Sequence, residues 1–275
     1  IYWSGRGISV AKLKPNMKEL ASEPMQIQGL PDGFKEGPYA FKHNNKYYLT
    51  FPWVQDKTET LAYAMADSPM GPFTFTGIIM DESPSGCWTN HHSITEYNGQ
   101  WYLFYHHNDY SPNFDKNRSA RIDSLFFNTD GTIKKVKPTL RGVGITDARS
   151  KIQIDRYSTI SPYGVTIDYL EPSNTFEGWQ TLFNRAGTWV TYNKVDFGTT
   201  PVKRLKARVR SEKGGAITLR TPGEKGMTIA ELPIKPTGKW TEISTNVSNA
   251  PTSMQDLIIT QTGENPVAVD WISFE

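Results

Sequence analysis

The sequence predicts an all-β protein in two parts, a partial β-propeller followed by a β-sandwich, and three observations predict it. Eight Trp, 13 Tyr and 13 Phe accompany 22 Gly and 18 Pro in 275 residues. No long stretch carries an apolar period of 3.6, so the pattern is one of short strands joined by many turns. The first half of the chain repeats itself. Beyond Gly144 the repeat stops and a different run of alternating strands begins, which sets the two domains at residues 1–144 and 145–275.

The repeat is read from two motifs. "NNKYYLTF" at 44–51 matches "NGQWYLFY" at 98–105 position for position. Each is an Asn-led turn entering a strand whose alternate residues share a face, Tyr47, Leu49 and Phe51 in one and Trp101, Leu103 and Tyr105 in the other. The second motif is "GISVAKLKP" at 7–15, "TLAYAMADS" at 60–68 and "SARIDSLFF" at 119–127, with a further strand expected after it in "GPFTFTGIIM" and "DGTIKKVKP". The unit is about 50 residues with four short strands, the signature of a propeller blade. Residues 1–144 hold two nearly whole blades and the tail of an earlier one, since "IYWSG" at 1–5 aligns with the end of the "YYLTFP" strand. A propeller closes its ring to cover its edges. The expectation is therefore that roughly 100 residues, about two blades, precede Ile1 or arrive as a separate or cleaved chain.

From Ile152 the segments "GTWVTYNKVDF", "RLKARVRS", "GAITLRTPG", "KWTEISTNVS", "DLIITQTG" and "VAVDWISFE" read as strands of a sandwich of about 120 residues. In "RLKARVR" the alternation sends Leu205, Ala207 and Val209 to the core and Lys206, Arg208 and Arg210 to solvent.

Bulk properties exclude several classes of function. Thirty Lys+Arg against 28 Asp+Glu leave +2, and the basic residues are scattered, which gives no case for nucleic acid. The single cysteine, Cys87, excludes an intrachain disulfide framework and a cysteine-rich zinc site. No apolar run approaches membrane-spanning length. Abundant aromatics fill β cores, and they also stack on the C–H faces of sugars; composition alone favours the first use.

Glu36, in "GFKEGPYAF", is the residue that composition does not explain. Aligning the repeats sets Glu36 opposite Asn90 and Gly37 opposite His91, each just ahead of an innermost blade strand, the position that faces a propeller's central channel. On the residues alone two readings stand. Glu36 is a solvated turn carboxylate, or it is a carboxyl desolvated beside Phe34 and Tyr39, its pKa raised for proton donation. The histidines come as adjacent pairs, His91-His92 and His106-His107, so at most one of each pair faces the channel. On the residues alone His91 is read as a hydrogen-bonded interior histidine, and His43, His106 and His107 as residues of strand ends or turns.

"EGPYAFKHNNKYYLTF", "ETLAYAMADSPMGPFTFTGII", "NHHSITEYNGQWYLFYHH" and "NRSARIDSLFFNTDGTIKKV" resemble, in this order, the later blades of family 43 glycoside hydrolases. These are five-bladed propellers that include arabinofuranosidases, xylosidases and arabinanases. The resemblance implies inverting hydrolysis by two carboxyl groups roughly 6.5–9.5 Å apart. Glu36 stands at the general acid of the family's E-[GA]-P motif, while the base and a modulating Asp belong to blades before Ile1. It further implies Phe34 beside the substrate, His91 on an axial calcium held mostly through waters, and Arg118 reaching the substrate or the acid.

The order "YGV…GTWVTYNKVDFG…PTGKWTEI…VDWISFE" resembles a family 6 carbohydrate-binding module, a jelly-roll sandwich. That implies an aromatic clamp on a sugar from Phe183, where Tyr is more usual, and Trp240. The family's sugar-binding Asn falls on Ala268, and losing a polar anchor removes orientation. A structural calcium is implied near Gln153, Asp155 and Asp270, with Gln153 where Glu is usual. Together the resemblances imply a secreted or periplasmic bacterial hydrolase of arabinose- or xylose-containing plant cell-wall polysaccharide or oligosaccharide, with calcium and no organic cofactor. The rival is a non-catalytic carbohydrate-binding or scaffolding fragment, since no base is assigned in the chain.

Overall fold

A computed structural model describes residues 1–34, 36–110 and 115–275. It divides into two compact units, Ile1–Pro138 and Thr139–Glu275. Both are built from strands, and among the described residues no helix is long and apolar enough to cross a membrane.

The first unit is a row of antiparallel meanders. Tyr2–Gly5, Gly7–Val10 and Met25–Gln26 make one sheet. Tyr39–His43, Lys46–Val54, Glu59–Ala66 and Thr74–Met80 make a four-stranded blade, and His92–Tyr97, Gln100–His107 and Ser119–Leu125 a three-stranded one. The repeated turns are tight two-residue hairpins: Asn44 and Asn45 have φ of 45° and 62°, and Asn98 and Gly99 have φ of 50° and 78°. Asn and Gly are the residues that tolerate this left-handed pair. Alternation along Lys46–Val54 sends Leu49 and Phe51 into one core cluster and Tyr48 into the next, where Leu103 and Tyr105 also lie.

The strand expected in "DGTIKKVKP" does not form a ladder. Only an isolated bridge joins Phe127 to Ile133. The segment spends its polar groups on the preceding blade instead: Tyr48 Oη donates to Gly131 O at 2.6 Å, Ile133 N to Tyr63 Oη at 2.9 Å and Val136 N to Ile79 O at 2.7 Å.

The second unit is two facing six-stranded sheets. In one, Val165–Tyr169, Trp179–Phe183, Val267–Phe274, Arg204–Arg210 and Thr241–Asn246 lie in that order, with Ile152–Gln153 paired to Val267–Phe274. In the other, Thr146–Asp147, Trp189–Asp196, Met254–Gln261, Gly215–Arg220 and Thr228–Ile234 lie in order, with Thr159–Ile160 on Trp189–Asp196. Leu205, Ala207 and Val209 are fully buried between the sheets, as their alternation requires. The register of Arg204–Arg210 against Val267–Phe274 slips between Arg208/Trp271 and Val209/Val269, leaving Asp270 as the extra residue of a bulge.

Candidate active site

Glu36 is held at the entry of the four-stranded blade from both sides. Ahead of it, Phe34 bridges to Trp53 and packs edge-on against Phe51 at 5.3 Å, while Trp53 Nε1 donates to Asp32 O at 2.7 Å. Behind it, Gly37 has φ of 69°, and a Cβ there would lie 3.1 Å from Pro52 Cδ and 3.3 Å from His91 Cε1. Glycine is needed for both reasons, and its absence of side chain lets the Glu36 turn come up against His91. The result is Glu36 Oε1 at 3.4 Å from His91 Nε2.

Phe34 therefore props the turn from the core side, where its ring is used in packing. The desolvation expected of Glu36 is not met in this chain, because its side chain is 56% exposed. Wide exposure leaves the carboxyl open to solvent.

His91 is fixed from the backbone. Asn90 N, one residue earlier, donates to the buried Glu59 carboxylate at 2.7 Å, and His91 N donates to His106 Nε2 at 3.2 Å. His106 must be neutral to accept that bond, with its proton on Nδ1. Burial first, then the Arg118 guanidinium and His91, push its pKa down to about 4. His107 is pushed down to about 3 by burial, then by Arg121 and His106, and His92 to about 3 by burial and then His91.

The two members of each pair do diverge. His91 turns to Glu36, whereas His92 Nε2 meets Thr50 Oγ1 at 2.6 Å. His107 lies 3.9 Å from Asp109, which Arg121 binds at 2.5 Å. His106 and His107 thus close the strand Gln100–His107, as the strand-end reading has it, and both are buried there. Sequence reasoning missed His106 as a neighbour of His91, although the hairpin register carries it: His92 pairs with Tyr105, so the next rung is His91 with His106. Arg118 is exposed at the head of Ser119–Leu125 and reaches this group through its field on His106.

The described donors do not by themselves complete a calcium shell. Among the described residues no three His, Cys, Asp or Glu side chains gather in a metal-holding group. His91 Nε2 is buried without a hydrogen-bond partner beside the Glu36 carboxylate, so most of the six to eight oxygens calcium takes would have to be waters or ligands from outside this unit.

In the sandwich, Asp155 and Asp270 share a polar recess with Gln153, but Arg156 is 3.2 Å from Asp155 and Arg208 is 2.7 Å from Asp270. Lys151 lines the same recess. These three cations supply the charge a divalent ion would bring, so the arrangement does not fit the ion. Burial raises the Asp270 pKa, opposed by its bond from Arg208.

The expected sugar clamp is not assembled. Phe183 is fully buried in the sandwich core. The reason is strand parity: Phe183 pairs with the inward Val267, while its neighbour Leu182 pairs with Ala268 and lines an outer cleft. Trp240 lies at that end of the sheet, but the Arg208 and Arg210 guanidinium groups already sit over its ring at 5.4 and 5.1 Å.

Residues 1–133 match the family model for glycosyl hydrolases family 43, and residues 161–275 match that for carbohydrate binding module family 6. An arabinoxylan arabinofuranohydrolase of Paenibacillus polymyxa is 28% identical over 258 residues, 83% of this chain and 40% of the relative. A beta-xylosidase of Xylanibacter ruminicola is 37% identical over 141 residues, 46% of this chain and 42% of the relative. The crystal structure of a family 43 arabinoxylan arabinofuranohydrolase from Bacillus subtilis, in complex with cellotetraose, superposes with a TM-score of 0.56 at 24% identity, covering 97% of this chain and 59% of that one. The chain thus spans about two fifths of these two curated relatives and shares the propeller-and-sandwich fold of the Bacillus subtilis structure.

Proposed function

We propose that this chain, a family 43 glycosyl hydrolase segment joined to a family 6 carbohydrate-binding module, is part of an inverting hydrolase of arabinose- or xylose-containing plant polysaccharide. Glu36 is its general acid. The observation that carries this reading is the placement of Glu36: an exposed carboxyl on a turn fixed by Phe34 and Gly37, 3.4 Å from a histidine that is itself held by its backbone. A proton donor must be accessible to the leaving oxygen and directed at it, and the exposure of Glu36 and its approach to His91 support that reading.

The donor works as follows. Protonated Glu36 gives its proton to the glycosidic oxygen as the bond to the anomeric carbon breaks, and a water attacks that carbon from the opposite face. His91, beside the carboxyl, limits where it points. The water's base is proposed to come from a part of the propeller that residues 1–138 do not include. No step runs through calcium.

The test is arabinoxylan hydrolysis by the natural full-length polypeptide and its Glu36→Gln variant, with the first-formed anomer read by proton NMR. Inverted product from the wild type and a loss of about 10²–10⁴-fold in the variant are expected. Wild-type rates from the variant, or retained configuration, overturn the assignment. Sugar binding without any hydrolysis supports the rival, a purely binding protein.

A further inference from the structure

We propose that the sandwich unit carries a site for an acidic sugar: a cleft at the end of one sheet receives the carboxylate of a uronic-acid-bearing saccharide on Arg210 and Lys213. The proposal rests on the reading of this chain as a plant-polysaccharide protein and names the chemistry its binding module would recognise.

The cleft follows from the sheet's register. Leu182 and Arg210 both pair with Ala268, so three neighbouring strands set an apolar, a small and a cationic side chain side by side at one level. With Pro266 they floor a hollow of about 370 Å³, within the roughly 300–1,000 Å³ range of ligand sites. Its wall is tied down. Ser211 Oγ donates to Pro266 O at 2.7 Å, and Ser211 N donates to Thr237 Oγ1 at 3.0 Å. Gly214 closes the loop with φ of 79°, where a Cβ would lie 2.7 Å from Ile234 O.

The charges in this cleft are not used up inside the protein. Of the two guanidinium groups over Trp240, that of Arg208 is neutralised by Asp270. No carboxylate oxygen lies within ion-pair distance of Arg210 or Lys213 among the described residues. Glu171 feels the field of Arg210, but its Oε1 is taken by Ser173 N at 3.1 Å and Ser173 Oγ at 2.8 Å. Glu212 also lines the cleft, so the lining itself carries two cations and one carboxylate, with Glu171 outside it.

Trp240 backs the Arg210 guanidinium at 5.1 Å and limits its motion. A guanidinium held in one plane, with its edge unpaired, suits the two oxygens of a carboxylate. A neutral sugar has less to gain here. Phe183 is in the core, Leu182 stands on the cleft face, and Ala268 offers no polar anchor. The floor gives contact to a C–H face, and the charge gives orientation.

The experiment is isothermal titration of the 275-residue chain with neutral xylotetraose, a glucuronic-acid-substituted xylo-oligosaccharide and trigalacturonate. The result expected is that at least one acidic sugar binds about tenfold or more tightly than xylotetraose and that the preference shrinks as salt is raised. Whichever acidic sugar binds identifies the source of the carboxylate. Arg210→Gln and Lys213→Ala should each reduce the preference. Lys213 is on an exposed loop, so its variant keeps the test open if Arg210→Gln unfolds the sandwich, which thermal melting reports. Equal affinity for acidic and neutral sugars, or a preference that survives both substitutions, overturns the proposal while leaving carbohydrate binding in place. Binding of no sugar at all removes this site and the binding-module reading together.

Discussion

Mild acid should loosen the first unit and spare the second. His106 and His107 are only 9% and 1% exposed, and their pKa values are pushed down to about 4 and about 3. In the unfolded chain each returns to about 6.5. A histidine whose folded pKa is depressed binds protons more readily unfolded, so its stability is full above pH 6.5. It is lost as pH falls through that value and levels off only near the folded pKa. Each group costs about 1.4 kcal/mol per pH unit. At pH 5 that is about 2 kcal/mol each, or about 4 for the pair as an upper figure, against a typical domain stability of about 5–15. The second unit is a built-in control, because all five histidines, at 43, 91, 92, 106 and 107, lie in the first. Amide hydrogen exchange at pH 7.5 and 5.0, corrected for intrinsic rates, reads the two separately. Protection over Gln100–His107 should fall by about 10²–10³-fold, and that over Arg204–Arg210 should hold. Equal changes in both units, or none in the first, would refute the reasoning.

Three substitutions follow from the same geometry. Gly37→Ala forces a side chain into the left-handed region against Pro52 and His91, which should cost about 1–2 kcal/mol and displace Glu36, lowering activity; a variant with wild-type melting and rate would contradict the close approach. Phe183→Ala should lower the melting temperature by the equivalent of about 3–5 kcal/mol, as a cavity in the sandwich core, whereas a residue exposed in a sugar clamp would lose binding and little stability. Arg208→Met leaves the buried Asp270 without its partner and should cost about 3–5 kcal/mol; a neutral result in thermal unfolding would show that the pair carries no stability.

Much of the fold is visible in the chain because its signals are local. The left-handed Asn and Gly turns mark the hairpins, and a period of two along "KYYLTF" and "RLKARVR" assigns faces correctly. The errors come where a count of one decides the outcome. Phe183 and Leu182 differ by a single step, and a step reverses the face of a strand. The failed ladder at Thr132–Lys137 depended on Tyr48 and Tyr63, which lie far back in the sequence and capture the segment's backbone. At the site, Glu36 and His91 were legible from the repeat, but His106 needed the register of a hairpin, and Glu59 needed a contact across blades. Arg208, which takes Asp270 in the sandwich recess, was legible only as a solvent-facing residue, since nothing local says which acid it will meet.

The most direct measurement of the central claim is the leaving-group dependence of the Glu36→Gln variant. A general acid matters in proportion to the basicity of the departing oxygen. With aryl and xylosyl arabinofuranosides in the natural full-length polypeptide, the variant should be nearly as fast as the wild type on a 2,4-dinitrophenyl leaving group. It should fall behind by about 10²–10⁴-fold on a sugar leaving group. A loss of the same size on both substrates would contradict proton donation by Glu36.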